Sequence, residues 1–208
     1  MQLRLRYADC VPTTPPPGSR RPGGRSARVR QAVLDATLAE LADGSYETLR
    51  IEDIAARAGV NKTTVYRRWP TKADLVADAA LANSSRAVPV PDTGTLEGDL
   101  RELARAVAAN IGREPGRRTT RNLVAVACAS EEVAERMAAF WSERLALTRV
   151  VVERAVARGE ADPDVDPHVV IETLVGTLYV RLLLTGEPVG PDVADDVARI
   201  VHRGIAVS

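Results

Sequence analysis

Apolar side chains recur with helical spacing along most of this sequence. From Ser26 the spacing i, i+4, i+7 appears in two rows, which are Val29, Val33 and Ala36, and Leu34, Leu38 and Leu41. Gly44 then ends the first predicted helix. Because no alternating strand pattern of useful length follows, we predict an all-α fold.

Breaks rich in proline and glycine divide the rest of the chain into further helices. Together with the first, they give about nine, the others being expected near 51–58, 62–69, 71–86, 95–113, 115–128, 130–158, 167–185 and 191–205. Thr71 with Asp74 resembles a capping box, and Asp166 is a suitable N-cap before Pro167. Pro167 and Pro191 fall at first helical positions, where proline is tolerated.

Composition restricts the class of protein. Aromatic residues make up only 3% of the chain, so Ala, Leu and Val must fill the core. Two cysteines, Cys10 and Cys128, cannot form a disulfide framework, and we interpret both as thiols in a reducing cytosol. The apolar stretch from Val169 to Leu184 is interrupted by Glu172 and Arg181, and we interpret it as too short to cross a bilayer. We therefore expect a soluble, cytoplasmic protein with no membrane partner.

The formal net charge is zero, but the charges are unevenly distributed. Through Lys72 there are 13 Lys and Arg against 7 Asp and Glu, and after Lys72 there are 15 against 21. A basic N-terminal part joined to an acidic body is typical of a nucleic-acid binder with a separate second function. Charge segregation also arises on ordinary solvated faces, so it supports this function only weakly.

The segment from Arg50 to Trp69 has the pattern of a helix-turn-helix. Its first helix has an apolar side made of Ile51, Ile54, Ala55 and Ala58. Gly59 permits a tight turn, Val60 fills the angle between the helices, and Asn61 can cap the second helix.

The residue pattern of the second helix predicts a DNA-binding face. Val65 and Trp69 point inward, which leaves an outward set without acids, namely Lys62, Thr63, Thr64, Tyr66, Arg67 and Arg68. Such a face can approach phosphates without repulsion, and its first turn is small enough to enter a major groove. The alternative is two packed helices of an ordinary bundle with a solvated cationic face.

Residues 27–87 resemble the N-terminal domain of the TetR family of bacterial transcriptional regulators. The resemblance lies in Val33, Leu34, Ala36, Leu41, Ile54, Ala55, Ala58, Gly59, Val60, Thr64, Tyr66, Trp69, Lys72 and Leu75, and above all in the string from Tyr66 to Lys72. The C-terminal part matches only in length, helicity and order.

The resemblance implies the domain organisation and the partners. Three N-terminal helices would bind a double-stranded DNA operator, with the third as recognition helix, and a fourth would lead to a helical ligand-binding and dimerisation domain at 88–208. A homodimer would release its operator when a small-molecule effector binds. Residues 1–25 form a Pro/Arg-rich tail that we expect to be disordered.

Two positions depart from the family pattern. Arg50 stands where the family usually has Ser or Thr before the second helix, so either Thr48 caps that helix or Arg50 itself takes the phosphate. Gly44 is followed by Ser45 and then Tyr46, whereas the family usually has the aromatic directly after the glycine.

Roles at the DNA are assigned as hypotheses. The first turn of the recognition helix supplies the candidates for base edges, which are Lys62, Thr63 and Thr64. The resemblance implies that Tyr66 donates its hydroxyl to a phosphate. Arg67 would reach a guanine edge or a phosphate, and Lys72, at a helix N-terminus, would hold a phosphate. Arg20, Arg21 and Arg25 are either a minor-groove arm or part of a flexible tail.

The acidic C-terminal part of the sequence lacks the motifs of the common classes of enzyme site. The two histidines, His168 and His202, lack the Glu-x-x-His spacing of a di-metal bundle, and nucleophile or phosphate-loop motifs are missing. The aspartates at 162, 164 and 166 lack the glycine and glutamate of a calcium loop, so we expect no metal and no cofactor.

Binding of a small-molecule ligand explains this helical bundle with fewer assumptions than an enzymatic role does. Its candidate pocket residues are scarce large side chains, namely Met137, Phe140, Trp141, His168 and Tyr179. The helices at 167–185 and 191–205 would form a four-helix dimer interface, with Gly176 allowing close approach and Val193, Val197, Ile200 and Val201 contributing apolar surface. We predict a ligand-released dimeric repressor; an activator or a ligand-independent regulator is the alternative, and an enzyme is a distant third.

Overall fold

The computed structural model describes residues 24–207, and these form a helical protein. Its ten α-helices are α1 (Gly24–Asp43), α2 (Ile51–Arg57), α3 (Lys62–Arg68), α4 (Lys72–Ala87), α5 (Leu96–Gly112), α6 (Gly116–Ala129), α7 (Glu131–Thr148), α8 (Val150–Ala157), α9 (Pro167–Val180) and α10 (Pro191–Ile205). A π-helical turn, Arg181–Thr185, extends α9. Within this range the only β-pairing is a single bridge between Ala161 and Ala206. The all-α prediction is confirmed.

Most helix bounds agree with prediction to within one residue, and two features differ by more. The single helix expected over 130–158 is divided at Arg149 into α7 and α8. The Thr148 hydroxyl donates to the carbonyl of Arg144 at 2.8 Å, and such back-bonding by threonine bends helices. α1 begins at Gly24 rather than Ser26, so Gly24 and Arg25 are helical, while the rest of the predicted tail lies outside the described residues.

The helix caps follow the sequence signals. The Thr71 side chain accepts from the Asp74 amide at 3.1 Å, and the Asp74 carboxylate accepts in return from the Thr71 amide. This capping box fixes the start of α4. Asp166 caps α9 by accepting from the His168 amide at 2.8 Å, with Pro167 in the first turn.

The apolar side chains form two main cores. The first lies among α1 to α4 and includes the fully buried Leu34, Leu41, Ile54, Val65 and Leu75. The second lies among α5, α8, α9 and α10. A small third cluster of Ala73, Val126, Val133 and Met137 joins α4 to α6 and α7, and so connects the N-terminal helices to the body.

The apolar row of α10 is used inside this chain. Val197 and Val201, predicted to face a partner subunit, are buried in the body core together with Ala194 and Ala198. That part of the prediction is wrong, because α5 already covers this side of α10. Ile200, by contrast, is 67% exposed.

α9 and its π-helical extension form one apolar helix from Pro167 to Thr185. By length and composition alone this helix could span a membrane, so the prediction that the stretch is too short was wrong. One side of it packs in the body core through Val170, Ile171, Leu174, Leu178 and Leu182. A core helix of a soluble protein passes the same test, so the finding is weak evidence for a membrane.

Candidate nucleic-acid interface and effector cavity

The turn between α2 and α3 has the geometry expected of a helix-turn-helix. Ile51 and Ile54 are buried and anchor α2 against α1. Gly59 has φ +65°, a left-handed conformation that glycine adopts without strain. Asn61 caps α3, because its side-chain oxygen accepts from the Thr63 amide at 3.0 Å. The turn and the cap therefore fix where α2 ends and where α3 begins.

α3 is held from its inner side. Val65 is fully buried and Trp69, directly after the helix, is 5% exposed, as the sequence predicts. The Trp69 indole N–H donates to the Asp78 carboxylate of α4 at 2.8 Å, and Arg30 of α1 pairs with the other oxygen of the same carboxylate. Three helices thus meet at one acid, which fixes the orientation of α3.

The outer side of α3 presents polar and cationic side chains. Lys62 and Thr63 are exposed, Thr64 is partly buried, and Tyr66 is 46% exposed. Arg67 is also exposed, and within the described range no carboxylate lies within 4.0 Å of it. These side chains therefore form one accessible surface, which we call the α3 face.

Two of the side chains on the α3 face have partners in the DNA-free protein. The Lys62 ammonium lies 3.6 Å from the Glu52 carboxylate of α2, an exposed pair that solvent screens. The Thr63 hydroxyl donates to Asn61 at 2.9 Å, so it can offer only its lone pairs to a base without breaking this bond. Both contacts lie in the turn expected to meet base edges.

Lys72 lies beside the loop between α1 and α2. Its ammonium donates to the carbonyls of Tyr46 at 2.7 Å and Leu49 at 3.3 Å, and it stands 4.2 Å from the centre of the Tyr46 ring. Partial burial lowers the pKa of Lys72 from its ordinary value, opposed by the nearby Glu47. Two of its three donors are thus used within the protein, which leaves one for a phosphate.

The start of α2 has no side-chain cap. Arg50 occupies the cap position in an extended conformation and is exposed. The Thr48 hydroxyl instead donates to the carbonyl of Ser45 at 3.1 Å and accepts from the Ser45 amide, so the proposal that Thr48 caps this helix was wrong. The Arg50 guanidinium therefore does not cap α2 and is accessible at this end.

Comparison with known proteins adds the family. The family model described as "Bacterial regulatory proteins, tetR family" matches residues 33–79, and that described as "Tetracyclin repressor-like, C-terminal domain" matches residues 90–201. The second match alone spans more than half of the chain. The chain belongs to the TetR family.

Individual relatives agree with this membership. The HTH-type transcriptional regulator AqdR of Rhodococcus erythropolis is 35% identical over 150 residues, 72% of each chain. The HTH-type transcriptional repressor LfrR of Mycolicibacterium smegmatis is 36% identical over 85 residues, 38% of this chain and 44% of its own. Among solved structures, the TetR family transcription regulator SCO0332 aligns with a TM-score of 0.74 and 31% identity over 85% of this chain and 98% of its own.

Family membership establishes the general function. TetR-family proteins are helix-turn-helix transcriptional regulators, which bind DNA and are not enzymes, so this chain is a DNA-binding regulator and the non-enzymatic prediction is confirmed. Between residues 24 and 207 the structure has no group of three or more His, Cys, Asp or Glu side chains able to hold a metal ion.

A cavity of about 680 Å³ lies between the DNA-binding helices and the body of this TetR-family chain. Residues of α1, α4, α5, α6, α7 and α9 line it. Four of the five predicted pocket residues are among them, namely Met137, Phe140, Trp141 and Tyr179. The fifth, His168, does not line it, because the first turn of α9, where it lies, is remote from the Tyr179 end of the same helix. We call this space the outer cavity.

A smaller cavity of about 40 Å³ adjoins the outer cavity across shared walls. The shared residues are Ser84, Asn110, Phe140, Trp141 and Tyr179. Its own lining adds Arg144, which sequence reasoning missed because a lone arginine on an amphipathic helix gives no local signal. We call this space the inner cavity.

Three aromatic rings line both cavities where these adjoin. Trp141 meets Phe140 and Tyr179 edge to face, with ring centres 5.2 and 5.1 Å apart. Burial raises the pKa of the Tyr179 hydroxyl above its ordinary value, opposed by the nearby Arg144, so the hydroxyl is protonated at neutral pH. The aromatic part of the shared wall is therefore apolar surface with the Tyr179 hydroxyl as a donor.

Proposed function

We propose that the protein is a cytoplasmic homodimeric repressor that a small-molecule effector releases from its operator. The observation that supports this most directly is the position of the outer cavity, which touches both α1 and α4 of the DNA-binding part and α6 and α7 of the body. A ligand there contacts helices on both sides, so it can favour one arrangement of the two parts over another.

The proposed DNA contacts follow from the α3 face and its surroundings. Lys62, Thr63 and Thr64 enter the major groove and meet base edges. Tyr66 donates its hydroxyl to a phosphate, and Arg67 reaches either a guanine edge or a phosphate. Arg50 and Lys72 bind phosphates on either side of the groove. Their support is the positive charge of both side chains and their positions at the starts of α2 and α4; Arg50 is also exposed, whereas Lys72 is partly buried.

Hydrogen bonds between α6 and the end of α1 provide a route for the ligand's effect. Asn122 donates to the carbonyls of Leu41 and Gly44, both at 2.9 Å, and Arg118 donates to that of Ala42 at 2.8 Å. α6 also lines the outer cavity. A ligand that shifts α6 would therefore move the C-terminal end of α1, and with it the angle of α2 and α3.

The homodimer is supported by an exposed apolar stripe on α9 and its extension. Val169, Thr173, Gly176, Val180 and Leu184 succeed one another along this side, with Leu184 79% exposed. Ile200 and Gly204 lie on the exposed side of α10. Small and apolar residues together suit close helix packing against a second copy, and two recognition helices then read two half-sites.

Repression rather than activation is supported by LfrR, which is named as a transcriptional repressor and aligns with part of this chain. The test begins with selection of bound duplexes from a random-sequence pool by the purified protein. We expect a site with two-fold symmetry and half-sites one helical turn apart, about 34–36 Å. Transcription from a promoter overlapping that site should fall when the protein is added. Enrichment of no sequence, or increased transcription, would contradict the proposal.

A further inference from the structure

Arg144 is a buried cation without an acidic partner. Its side chain lies on α7 and is 6% exposed, and within the described residues no carboxylate comes within 4.0 Å of the guanidinium. One hydrogen bond is recorded for it, from Nη2 to the carbonyl of Val88 at 3.0 Å. A guanidinium has five N–H donors and remains charged in proteins, so most of its binding capacity is unused.

This arrangement is energetically costly without a ligand. Burial lowers the pKa of Arg144, which reflects the loss of hydration of its charge, and the nearby Tyr179 and Glu143 oppose this shift without pairing with the guanidinium. Removing an ion from water has an effective penalty of several kcal/mol unless a counter-charge compensates for it. Buried arginines in folded proteins are accordingly paired, and the residues lining the inner cavity include no acid that could do so here.

The inner cavity places a small anionic group next to Arg144. Its volume of about 40 Å³ exceeds the space that one water needs and suits a group the size of a carboxylate. The planar guanidinium fork matches the two oxygens of a carboxylate. Tyr179 lines the same space and lies near enough to Arg144 for the two groups to interact electrostatically, so its hydroxyl is a candidate donor to the same group.

The outer cavity then accommodates the rest of the molecule. Its volume of about 680 Å³ is in the range of sites for drug-sized ligands, and it begins at the aromatic walls formed by Phe140, Trp141 and Tyr179. Such rings favour an apolar, preferably flat, body. Both basic and acidic side chains also line this larger space, namely Arg86, Arg113, Asp35, Asp43 and Glu114, and Arg86 pairs with Asp35. The outer cavity therefore has no excess of positive charge, unlike the inner cavity with Arg144.

We propose that the effector is an organic monocarboxylate whose carboxylate pairs with Arg144 in the inner cavity while its apolar body fills the outer cavity. This identification rests on the proposed function, in which a small molecule controls DNA binding. Tyr179 donates a second hydrogen bond to the carboxylate, and Trp141 stacks beside the apolar body.

The test compares acids with uncharged analogues of the same shape. The probes are 2-naphthoate, decanoate and 4-phenylbenzoate, each beside its primary amide, titrated into the full-length protein by calorimetry and by tryptophan fluorescence. At least one acid should bind about tenfold or more tightly than its amide, since hydrogen bonds to charged groups contribute about 1.5–3 kcal/mol.

Variants at Arg144 and Arg113 show which cavity causes the preference for acids over amides. Arg144→Met keeps an unbranched side chain but removes the charge, and should bring the acid-to-amide ratio to about one. Arg113→Met removes a cation from the outer cavity and should leave the ratio unchanged. Arg144→Lys, which keeps the charge without the fork, should give an intermediate ratio and serves if Arg144→Met unfolds.

Three outcomes overturn the inference: no probe binds at millimolar concentration, amides bind as tightly as acids, or the preference survives Arg144→Met. Release of DNA is measured separately by fluorescence anisotropy. Acids that bind through Arg144 but do not release DNA would contradict the proposed function and leave the site standing. Release of DNA by neutral or cationic molecules, with acids inactive, would support the proposed function and contradict the carboxylate site at Arg144.

Discussion

The indole nitrogen of Trp69 and the carboxylate of Asp78 are joined by a hydrogen bond of 2.8 Å that ties the end of the recognition helix to α4. Arg30 of α1 pairs with the other carboxylate oxygen. Asp78 thus holds α3 to the helix that leads into the body, and a change at this acid alters both the stability and the aim of the recognition helix.

Replacing Asp78 by alanine should lower the free energy of unfolding by about 1–3 kcal/mol, because it leaves the part-buried indole N–H without its acceptor. Urea denaturation measures this. DNA binding should weaken for all sequences, since the α3 orientation is less well defined. Arg101→Ala, which removes an exposed pair with Glu97 in the body, should change stability by no more than about 0.5 kcal/mol. Equal effects of the two substitutions would rule out this role for Asp78.

Lys72→Ala should weaken binding to all DNA sequences alike and lower the slope of log affinity against log salt by about one, since one phosphate contact is lost. Fluorescence anisotropy at several salt concentrations measures the slope. The same substitution removes the bonds to the Tyr46 and Leu49 carbonyls, so the melting temperature without DNA is measured in parallel. A changed base preference with an unchanged slope would refute the phosphate contact.

Glu52→Gln should strengthen DNA binding. The Glu52 carboxylate lies 3.6 Å from the Lys62 ammonium and adds negative charge next to the α3 face, which opposes the approach of phosphates. The amide frees Lys62 and removes that repulsion, so affinity for random duplex DNA at low salt should rise several-fold. Glu153→Gln, an exposed acid paired with Arg149 in the body, should have no effect. An unchanged or reduced affinity would show that Glu52 does not face the DNA.

The features that sequence alone predicted are local ones. Helix positions, the Gly59 turn and the caps by Asn61, Thr71 and Asp166 each depend on residues within four positions of one another. The period of apolar side chains is likewise read within a single helix. For this reason the all-α fold and the helix-turn-helix could be predicted from the sequence.

The features that it did not predict are contacts between distant segments. Lys72 meets a carbonyl 26 residues earlier, and Arg30 and Asp78 are 48 residues apart. The apolar row of a helix also does not indicate whether a helix of the same chain or a partner subunit covers it. For that reason the sequence predicts Val197 and Val201 at a subunit interface, whereas they pack inside the chain against α5. Arg144 shows the same limitation, since nothing nearby in sequence indicates that its neighbours leave it unpaired.

Stability should decline in acid partly through Glu160. Its carboxylate accepts from the Arg158 guanidinium at 2.6 Å and from the Leu96 amide at the start of α5, and these contacts hold its pKa below the ordinary value. Because the folded-state pKa is lower, the stabilisation is present above the unfolded-state value of about 4.5 and is lost as pH falls through the folded-state pKa. Melting temperatures between pH 7 and pH 3 should therefore fall less steeply for Glu160→Gln than for the wild type. Glu135→Gln, on exposed α7 surface, should follow the wild-type curve.

Gly176→Leu should separate the subunits without harming the fold of one chain. A Cβ atom at Gly176 would meet no atom within 4 Å in the isolated protomer, and leucine favours the helix over glycine by about 0.5–1 kcal/mol. In a dimer packed through α9, the same side chain stands where the partner helix must approach. Light scattering after gel filtration should give a dimer for the wild type and a monomer for Gly176→Leu. Ala138→Leu, on an exposed part of α7, should remain dimeric.

The monomeric variant should also lose most operator affinity, since one α3 face reads a single half-site. A Gly176→Leu protein that stays dimeric would show that the subunits meet elsewhere.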